Sequence, residues 1–563
     1  MITAGISVKG DFQCGSSSSP FLGKLNIKLK VGYNISGSHG SMGPRTFAVF
    51  NGGRLDLFGN KKSVTWTRLR SDAKSGQNYI EVHKNSSWKV GDKLVVSSTG
   101  FDMNEAEEVT IKSMSGTKIN LTSSLKNMHY GRTKKYSSTK GTWNLNHSAF
   151  VANLTRSIVI QSHESNHQGS LLGGHVMVMP GGKAYIDSVQ FDRLGRQGQM
   201  ARYPFHWHRL GNGSGQYIKN SSVTNSYQRC ITVHATHSVT VENNVCYNHF
   251  GHGYFLEDGN ETNNVIKNNI GLISKKIPRE RALLQSDITG VLDRFPAPST
   301  FWISNPINTV EGNVAAGSQG TGFWMAFINK NICTSDSKCS NPLKSNTRAF
   351  NNNIATSSLV GITWDGAPTN ASANNPNNPE DKKINSAHYS PSNKPVFKNL
   401  VAYKNRRAGI YFRGNAAEFR NAILADNKWS LFLAYSQEFF NSAIIGKSPF
   451  YTEKDLQILA NQVGGSSRVG GVVVYDGPFG LKDSSFFDFP SKKIERKNKD
   501  ITPYPFMMIG GANRFENKVQ GLTFNPEPFK RINFVHASQN WVDSSFSASI
   551  RDIDGSLTGK RNS

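Results

Sequence analysis

A short motif recurs through the later part of the chain and restricts the folds open to it. An apolar residue is followed within three positions by asparagine in VENNV at 241, VIKNN at 265, VEGNV at 310, FNNNI at 350, FKNLV at 397, FRNAI at 419 and FFNSAI at 439. Val401, Ile423 and Ile444 are 22 and 21 residues apart. A period of this length is typical of one solenoid coil. Asparagine tolerates left-handed turn geometry and can hydrogen-bond along a stack, so the pattern predicts a parallel β-helix.

The first part of the chain shows a different pattern. Residues 1–140 alternate short apolar runs with glycine-rich turns and show almost no helical periodicity, which predicts an all-β module. We therefore predict a β-rich domain at 1–140, a parallel β-helix at 141–490 and a C-terminal β extension at 491–563.

A second repeat places side chains on the two faces of the predicted strands. Glycine precedes alternating apolar residues in GFWMAF at 322, GITWDG at 361 and GIYFRG at 409, and FHWH at 205, ITVH at 231 and YFLE at 254 align with them. Because side chains of a strand alternate, one set points inward: Phe205/Trp207, Ile231/Val233, Tyr254/Leu256, Phe323/Met325, Ile362/Trp364 and Ile410/Phe412. The other set forms an outward column: His206/His208, Thr232/His234, Phe255/Glu257, Trp324/Ala326, Thr363/Asp365 and Tyr411/Arg413. A slip of one residue would reverse both sets.

The outward column concentrates groups that transfer protons or bind metals. His208, His234 and Glu257 would lie on neighbouring strands, and Asp258 follows directly, so we predict these four as catalytic residues. Two histidines, His206 and His252, together with His208 and His234, are the predicted ligands of a divalent metal, either Ca²⁺ or Zn²⁺. The alternative is that the stacked histidines only hydrogen-bond along the solenoid.

The charge of the chain predicts an acidic partner. The formal net charge is +26 and the pI is about 9.8, which favours nucleic acid, anionic lipid or acidic polysaccharide. No RNA-recognition signature or zinc-finger spacing is present, so we do not expect nucleic acid. For a polysaccharide, the predicted substrate-binding residues are Trp324 and Tyr411 as stacking surfaces, Arg209 and Arg413 (or Arg229) as carboxylate partners, and Asp365 as a second carboxylate. Ordinary surface packing is the alternative for each.

The cysteines and the apolar runs bear on localisation. Cys333 and Cys339 flank a short polar loop, and Cys230 and Cys246 fall on successive predicted coils, so either pair could form a disulfide, although all thiols could also be free. No apolar run reaches the roughly 20 residues of a membrane span, so no membrane anchor is expected in this chain. The N-terminal ITAGISVKGDF is not a signal peptide, and we expect it to lie inside a folded domain.

Several long motifs carry a family resemblance. RYPFHWHRLG, GHGYFLEDG, LLQSD, STFWISNPINTVEGNVAAGSQGTGFW and GGRLDLFGNKKSVTWTRL resemble the cell-migration-inducing and transmembrane hyaluronidase family. The resemblance implies part of an eight-glycine-type domain followed by right-handed parallel β-helix repeats, in an extracellular protein that binds and depolymerises hyaluronan. The histidines and acids of the family motifs fall on His206, His208, His234, His237, His252, Glu257 and Asp258.

Three hypotheses follow. The first is an endo-acting hyaluronan-degrading enzyme, and the resemblance favours a hydrolase over a lyase, which would need a base near the uronate C5 and a cation on its carboxylate. The second is a non-catalytic hyaluronan- or glycan-binding protein at the cell surface. The third is a microbial or viral depolymerase of another acidic polysaccharide.

Overall fold

A computed structural model describes most of the chain. The described residues are 1–31, 36–37, 40–163, 171–288, 296–333, 339–368, 384–385, 387–461, 469–474, 477–508, 514–534 and 548–563. The protein is all-β, and its strands form a parallel β-helix with three faces, as predicted. Among the described residues, no helix is both long and apolar enough to cross a membrane.

Each coil visits the three faces in the same order, and each strand pairs with the strand one coil away. The first face contains Gly5–Val8, Thr46–Val49, His175–Val178, Phe205–Asn212, Ile231–His237, Tyr254–Leu256, Ser299–Ile303, the later parts of Val314–Met325 and Ile354–Trp364, Ala408–Arg413, Trp429–Ala434, Val469–Val474, Pro503–Met508 and Ile532–Phe534.

The other two faces complete the coils. The second face contains Asp11–Cys14, Arg54–Phe58, Lys183–Asp187, Tyr217–Lys219, Thr240–Glu242, Val265–Lys267, Thr309–Glu311, Ala349–Asn351, Val396–Lys398, Ala417–Arg420, Gln437–Phe440, Phe479–Lys482, Arg514–Gln520 and Ala548–Asp552. The third face contains Ile2–Thr3, Leu25–Leu29, Ile158–Ser162, Val189–Asp192, Ser222–Thr224, Val245–Phe250, Ile270–Lys275, the earlier parts of Val314–Met325 and Ile354–Trp364, Val401–Tyr403, Ile423–Ala425, Ala443–Ile445, Ser485–Phe487 and Thr523–Asn525.

The core fills the interior of the coils, and the predicted inward set is confirmed. All twelve predicted residues are at most 3% exposed and belong to one continuous core cluster: Phe205, Trp207, Ile231, Val233, Tyr254, Leu256, Phe323, Met325, Ile362, Trp364, Ile410 and Phe412. Stacked aromatic rings, such as those of Phe301 and Phe323 at 4.6 Å, continue from coil to coil.

The repeated asparagines form two ladders. In the buried ladder, the side-chain amide of each Asn donates to that of the next coil, at 3.0 Å, 3.0 Å and 3.3 Å along Asn244, Asn269, Asn313 and Asn353. In the outer ladder, Asn352, Asn399, Asn421 and Asn441 have φ between 47° and 57° and also bond to one another. The predicted left-handed turns and axial bonds are therefore both present.

A β-rich insertion covers the third face. Its six-stranded antiparallel sheet contains Trp66–Arg68, Tyr79–Glu81, Lys93–Val96, Glu107–Ser115, Lys118–Leu121 and Phe150–Asn153, and the hairpin Thr133–Ser138 with Gly141–Asn146 follows it. Phe150, Ala152 and Leu154 pack on third-face residues such as Tyr247 and Leu272. The insertion therefore covers the third face in these coils.

The smaller elements lie between coils. Short antiparallel pairs are Ser36–Gly37 with Gly40–Ser41, Ile332–Cys333 with Cys339–Ser340, Ala367–Pro368 with Ile384–Asn385, and Glu495–Arg496 with Lys499–Asp500. Among the described residues, the other elements are the α-helix Glu453–Asn461 and the 3-10 turns Met103–Glu105, Arg279–Arg281 and Gln285–Asp287.

Strand pairing runs across both predicted domain limits, at 140 and at 490. Leu25–Leu29 pairs with Ile158–Ser162, and Arg54–Phe58 pairs with Lys183–Asp187. At the other limit, Phe479–Lys482 pairs with Arg514–Gln520. The division into 1–140, 141–490 and 491–563 therefore stays a prediction about domains and is not a boundary in the sheets.

Both predicted cysteine pairs form disulfides. Cys230 bonds to Cys246 and Cys333 bonds to Cys339, while Cys14 is a free thiol.

Candidate active site

Three neighbouring strands of the first face place the predicted catalytic residues together. In Phe205–Asn212 and Ile231–His237, His208 lies opposite His234. In the next strand, Tyr254–Leu256, Leu256 lies opposite Val233. Glu257 and Asp258 follow directly at the end of that strand, so the register delivers them beside His234.

A bend follows each of the two histidines. Arg209 has φ of 54° and Ala235 has φ of 43°, and the pairing of the two strands shifts between His208 and Gly211. Non-glycine residues seldom adopt positive φ, and such backbone strain clusters at functional sites. The bends redirect the two strands immediately after the histidines, and pairing resumes at Gly211 with Thr236.

A buried carboxylate that the sequence analysis did not single out fixes these turns. Glu261 accepts hydrogen bonds from the backbone amides of Ala235, Asp258 and Gly259 at 2.8 Å, 3.0 Å and 2.8 Å. Its side chain is fully buried. The only sequence signal was its place in the turn EDGNE, where a carboxylate can bond nearby amides. Glu261 is thus a positioning residue for both Asp258 and the bend after His234.

His234 is the centre of the cluster. Its Nε2 lies 2.8 Å from Asp258 Oδ2, and its Nδ1 lies 3.2 Å from His208 Nδ1 and 3.7 Å from Glu257 Oε2. On the far side of Glu257, the Tyr203 hydroxyl donates to Oε1 at 3.5 Å. A charged imidazole carries a proton on both nitrogens, so His234 can donate to His208 and Asp258 at once.

The environment separates the protonation states of these groups. Burial opposes a charged imidazole, but the charge of Glu257 and the hydrogen bond to Asp258 outweigh it and raise the pKa of His234 to about 9. Burial raises the pKa of Glu257 to about 7, although the charge of His234 works against this shift. Burial, with the charge of His234, lowers the pKa of His208 to about 4. Near neutral pH the site therefore contains a cation, a carboxyl close to its titration point and a neutral imidazole.

Three of the four predicted metal ligands lie together. One ring nitrogen from each of His206, His208 and His234 lies within 4.8 Å of the others. His206 is fully buried, and its Nε2 has no hydrogen-bond partner among the described residues. Two nitrogens bound at ~2.05 Å to one tetrahedral zinc would be about 3.3 Å apart, close to the separation of His208 and His234. The hydrogen bond from His234 to Asp258 matches the carboxylate that usually orients a metal-bound histidine. These donors fit Zn²⁺ and not Ca²⁺, which prefers oxygen ligands.

His252, the fourth predicted ligand, does not join this group. Its two ring nitrogens lie 2.7 Å from Ser299 Oγ and 3.1 Å from Ser286 Oγ, and its side chain is fully buried. Since serine hydroxyls occupy both nitrogens, the prediction of His252 as a ligand with His208 and His234 is wrong for this structure.

The predicted arginines have different environments. Arg209 is exposed next to His208, where it can reach an acidic substrate. Arg229 is fully buried and forms a bidentate ion pair with Asp287, at 2.5 Å and 3.0 Å. Arg229 therefore cannot contact a glycan, and it supports the site from beneath, with its guanidinium 4.3 Å from the ring centre of Phe255.

The predicted stacking surfaces are buried. Trp324 is fully buried and donates its indole N–H to the carbonyls of Asp365 and Gly366. Tyr411 is 6% exposed, and its hydroxyl donates to Asp365 Oδ2 at 2.9 Å. Neither ring presents a face to a sugar, because Trp324 packs among Phe255, Trp302 and Leu284, and Tyr411 among Phe432, Val473 and Met507.

Asp365 fixes the two ends of a loop. Its Oδ1 accepts from the backbone amides of Gly366 and Ala387 at 2.7 Å and 2.8 Å, and burial raises its pKa to about 6. The strand Ser299–Ile303 is an additional coil between those of Glu257 and Trp324. Asp365 is therefore three coils from Glu257, about 14 Å away, beyond the ~5–9.5 Å between paired glycosidase carboxylates. Its prediction as the second carboxylate of hydrolysis is wrong on this spacing.

Arg413 is the last predicted residue of the column. Its Nε donates to His388 Nε2 at 2.7 Å and its side chain is 12% exposed. The guanidinium lies 5.5 Å from the ring centre of Tyr435. A substrate role for Arg413 stays a prediction, as do the catalytic roles of His208, His234, Glu257 and Asp258.

Comparison with known proteins identifies two segments of the chain. The G8 domain family model matches residues 1–70, and the CEMIP beta-helix family model matches residues 171–362. The second segment contains all four residues of the predicted catalytic cluster.

Two curated relatives extend the similarity over most of the chain. A protein of Dictyostelium discoideum is 27% identical over 98% of this chain and 56% of its own length. Human cell surface hyaluronidase CEMIP2 is 28% identical over 84% of this chain and 39% of its own length. The chain thus spans less than two thirds of each relative. Among solved structures, the Siphovirus 9NA tailspike receptor binding domain covers 69% of this chain and 70% of its own at 8% identity, with a TM-score of 0.29.

Proposed function

Because this chain contains a G8 segment and a CEMIP beta-helix segment, we propose that it is an extracellular enzyme that cleaves hyaluronan within the polymer, by hydrolysis in preference to elimination. The observation that carries the proposal is the contact of His234 with Glu257, Asp258 and His208 on adjacent coils. One relative is named as a hyaluronidase, and the charge of +26 suits a polyanionic substrate. The two disulfides agree with an oxidising, extracellular environment.

The proposed acid is Glu257. Its pKa of about 7 leaves a substantial protonated fraction at neutral pH, so it can donate a proton to the glycosidic oxygen as the bond to the sugar breaks. Tyr203 holds Oε1 and orients the carboxyl. Burial keeps Glu257 protonated near neutral pH, because its ionised form is poorly solvated there.

The proposed base is Asp258, with His234 as its partner. The Asp258 side chain is 29% exposed, so a water molecule can approach it. Without a metal, His234 stays protonated on both nitrogens and holds Asp258 in place, and its positive charge also attracts the uronate carboxylate. A metal bound at Nδ1 would replace the proton there and would supply the positive charge instead. The exposed Arg209, one residue after His208, adds a second cation on the same side of the site.

A Zn²⁺ ion would be held by His206, His208 and His234, and it would supply a Lewis acid and an acidified water molecule. The chain's own residues then act around it: Asp258 orients His234, and Glu257 holds the proton that the leaving sugar requires. An imidazole that binds a metal through one nitrogen can still donate from the other.

The test is size-exclusion analysis of high-molecular-weight hyaluronan after incubation with the purified chain, with and without EDTA. Shortening without new ultraviolet absorbance from an unsaturated product is the expected result and indicates a hydrolase. New absorbance would indicate a lyase, and loss of shortening in EDTA that Zn²⁺ restores would establish the metal. Chondroitin, alginate and pectate in parallel reactions test the choice of substrate.

A non-catalytic glycan-binding protein is the competing function. The basic charge and the exposed Arg209 serve binding as well as catalysis. Retained hyaluronan binding with no shortening under any added divalent metal would contradict the enzyme and favour this function.

A further inference from the structure

A second cleft lies on the third face, at the edge of the insertion. It has a volume of about 460 Å³ and opens between the first third-face strands and the insertion residues Gly91, Lys93 and Glu108. Pockets of about 300–1,000 Å³ are typical for small-molecule ligands. The proposed active site is on the first face, so this cleft is a separate feature.

The floor of the cleft differs from the rest of the third face. Where the insertion covers the coils, outward residues are apolar, as in Val245, Tyr247, Ile270 and Leu272. In the cleft, neighbouring coils instead present amide and hydroxyl groups, from Asn26, Gln161, Gln190 and Thr224. The apolar residues Leu154 and Val159 also line the cleft. This mixture of polar groups and small apolar areas is typical of surfaces that bind sugars through both their hydroxyls and their C–H faces.

Hydrogen bonds align these groups in fixed positions. Gln161 Nε2 donates to Asn26 Oδ1 at 2.9 Å, and Gln190 Nε2 donates to Thr224 Oγ1 at 3.1 Å. Arg193 also donates to Gln161 Oε1, at 2.8 Å. An amide side chain has two donor hydrogens and an oxygen with two lone pairs, so each retains capacity for a ligand. The floor is thus pre-organised, which lowers the entropic cost of binding.

The formal charges of the residues that line the cleft sum to zero. Lys93 pairs with Glu108 at 2.9 Å, and Arg193 pairs with Asp192 at 2.7 Å. Two cations and two anions give no net charge, although the whole chain carries +26. An acidic polysaccharide would gain no electrostatic attraction here, whereas an uncharged ligand would lose none.

We propose that this cleft binds a short uncharged oligosaccharide. Its hydroxyl groups bond to the amides of Asn26 and Gln190, and a sugar ring covers Val159. Lys93 and Glu108 form the wall on the side of the insertion. The site is independent of hyaluronan cleavage, because it shares no residue with the His234 cluster.

The test is isothermal titration of the full chain with maltotriose and with tri-N-acetylchitotriose, in low and in high salt. We expect at least one of these two uncharged probes to bind with equal affinity at both salt concentrations. The variant Asn26→Ala/Gln190→Ala should bind it about tenfold more weakly, because it loses two ligand hydrogen bonds. The matched control is Asn421→Ala, which removes an exposed asparagine amide from the outer ladder and should bind as the unchanged chain does.

Other results would overturn the proposal. These are no binding of either probe, binding that the Asn26→Ala/Gln190→Ala variant leaves unchanged, or binding that salt abolishes. If that variant fails to fold by circular dichroism, Gln190→Arg replaces it, because a long cationic side chain fills the cleft while leaving Asn26 in place. Unchanged binding by a folded Gln190→Arg variant would equally contradict the site.

Discussion

Replacing Glu257 with glutamine tests the proposed acid most directly. Glutamine keeps the shape and burial of the side chain but cannot donate a carboxyl proton. General acid catalysis typically contributes about 10²- to 10⁴-fold to a rate, so Glu257→Gln should reduce kcat by that factor, equivalent to about 3–5 kcal/mol of transition-state stabilisation. Binding of hyaluronan should change little, because the side chain of Glu257 is only 7% exposed.

The pH dependence of turnover gives a second quantitative expectation for Glu257. With a pKa of about 7, the protonated form of Glu257 outnumbers the ionised form by about ten to one at one pH unit below that value, and the ratio reverses at one unit above. The turnover of the unchanged chain should therefore fall by about tenfold between pH 6 and pH 8. The residual activity of Glu257→Gln should lack this decline.

The assay is the initial rate of hyaluronan shortening across this pH range, under saturating substrate. The matched control is Glu242→Gln, which removes a partly exposed carboxylate on the second face that pairs with Lys219 at 3.3 Å. Full activity in Glu257→Gln, or a rate in the unchanged chain that stays constant from pH 6 to pH 8, would refute the reasoning.

Four further predictions follow from named contacts. His234→Ala should lower turnover by about 10²- to 10⁴-fold and retain most hyaluronan binding, measured by pull-down; parallel loss of binding would contradict this. Asp365→Asn should remove a pH dependence of stability, because the raised pKa means that the folded form binds the Asp365 proton more tightly than the unfolded form does. The free energy of unfolding of the unchanged chain should therefore fall by up to about 3 kcal/mol as the pH rises from about 4 to above 6. Melts in which the unchanged chain and the variant depend on pH in the same way would contradict this. Asp287→Ala leaves Arg229 buried without its partner and should cost about 3–5 kcal/mol, whereas the cost in denaturant melts should be much smaller for the paired replacement Arg229→Met/Asp287→Leu. Asn313→Ala breaks the buried ladder and should cost about 2–4 kcal/mol, and a loss as small as that of an exposed ladder asparagine would contradict the role of the ladder.

The coil pattern and the register of the active-site strands were predictable from the sequence. Alternation identified Phe205 and Trp207 as core residues, and the same alignment placed His208 beside His234. These features depend on the period of two in a strand and on the spacing between coils, both of which are local properties of the sequence. The same alignment predicted that Glu257 lies on the outward side, next to His234.

The environment of the outward column was not predictable in this way. Trp324 and Tyr411 alternate outward as expected, but neighbouring side chains bury them, and a strand pattern carries no information about what packs against a face. Asp365 lies one coil further from Glu257 than the aligned motifs indicate, because the strand Ser299–Ile303 was not among them. His252 lies outside the alternating strands, and its pairing with Ser286 depends on a distant turn.

The asparagine ladders allow the solenoid to change in length by whole coils. Within the buried ladder, each amide bonds to an identical group one coil away, so the junctions along Asn244, Asn269, Asn313 and Asn353 have the same chemistry. Between Arg54–Phe58 and Ile158–Ser162 the chain leaves the solenoid for about a hundred residues and then returns to the same coil. On its return, Ile158–Ser162 pairs with Leu25–Leu29 of the coil before and with Val189–Asp192 of the coil after. A whole coil, or a whole domain inserted within one, can therefore be gained without altering the contacts of its neighbours, provided that the chain re-enters in phase. The insertion or deletion of a single residue before His208 within its coil would not be tolerated in this way, because it would move His208 out of register with His234.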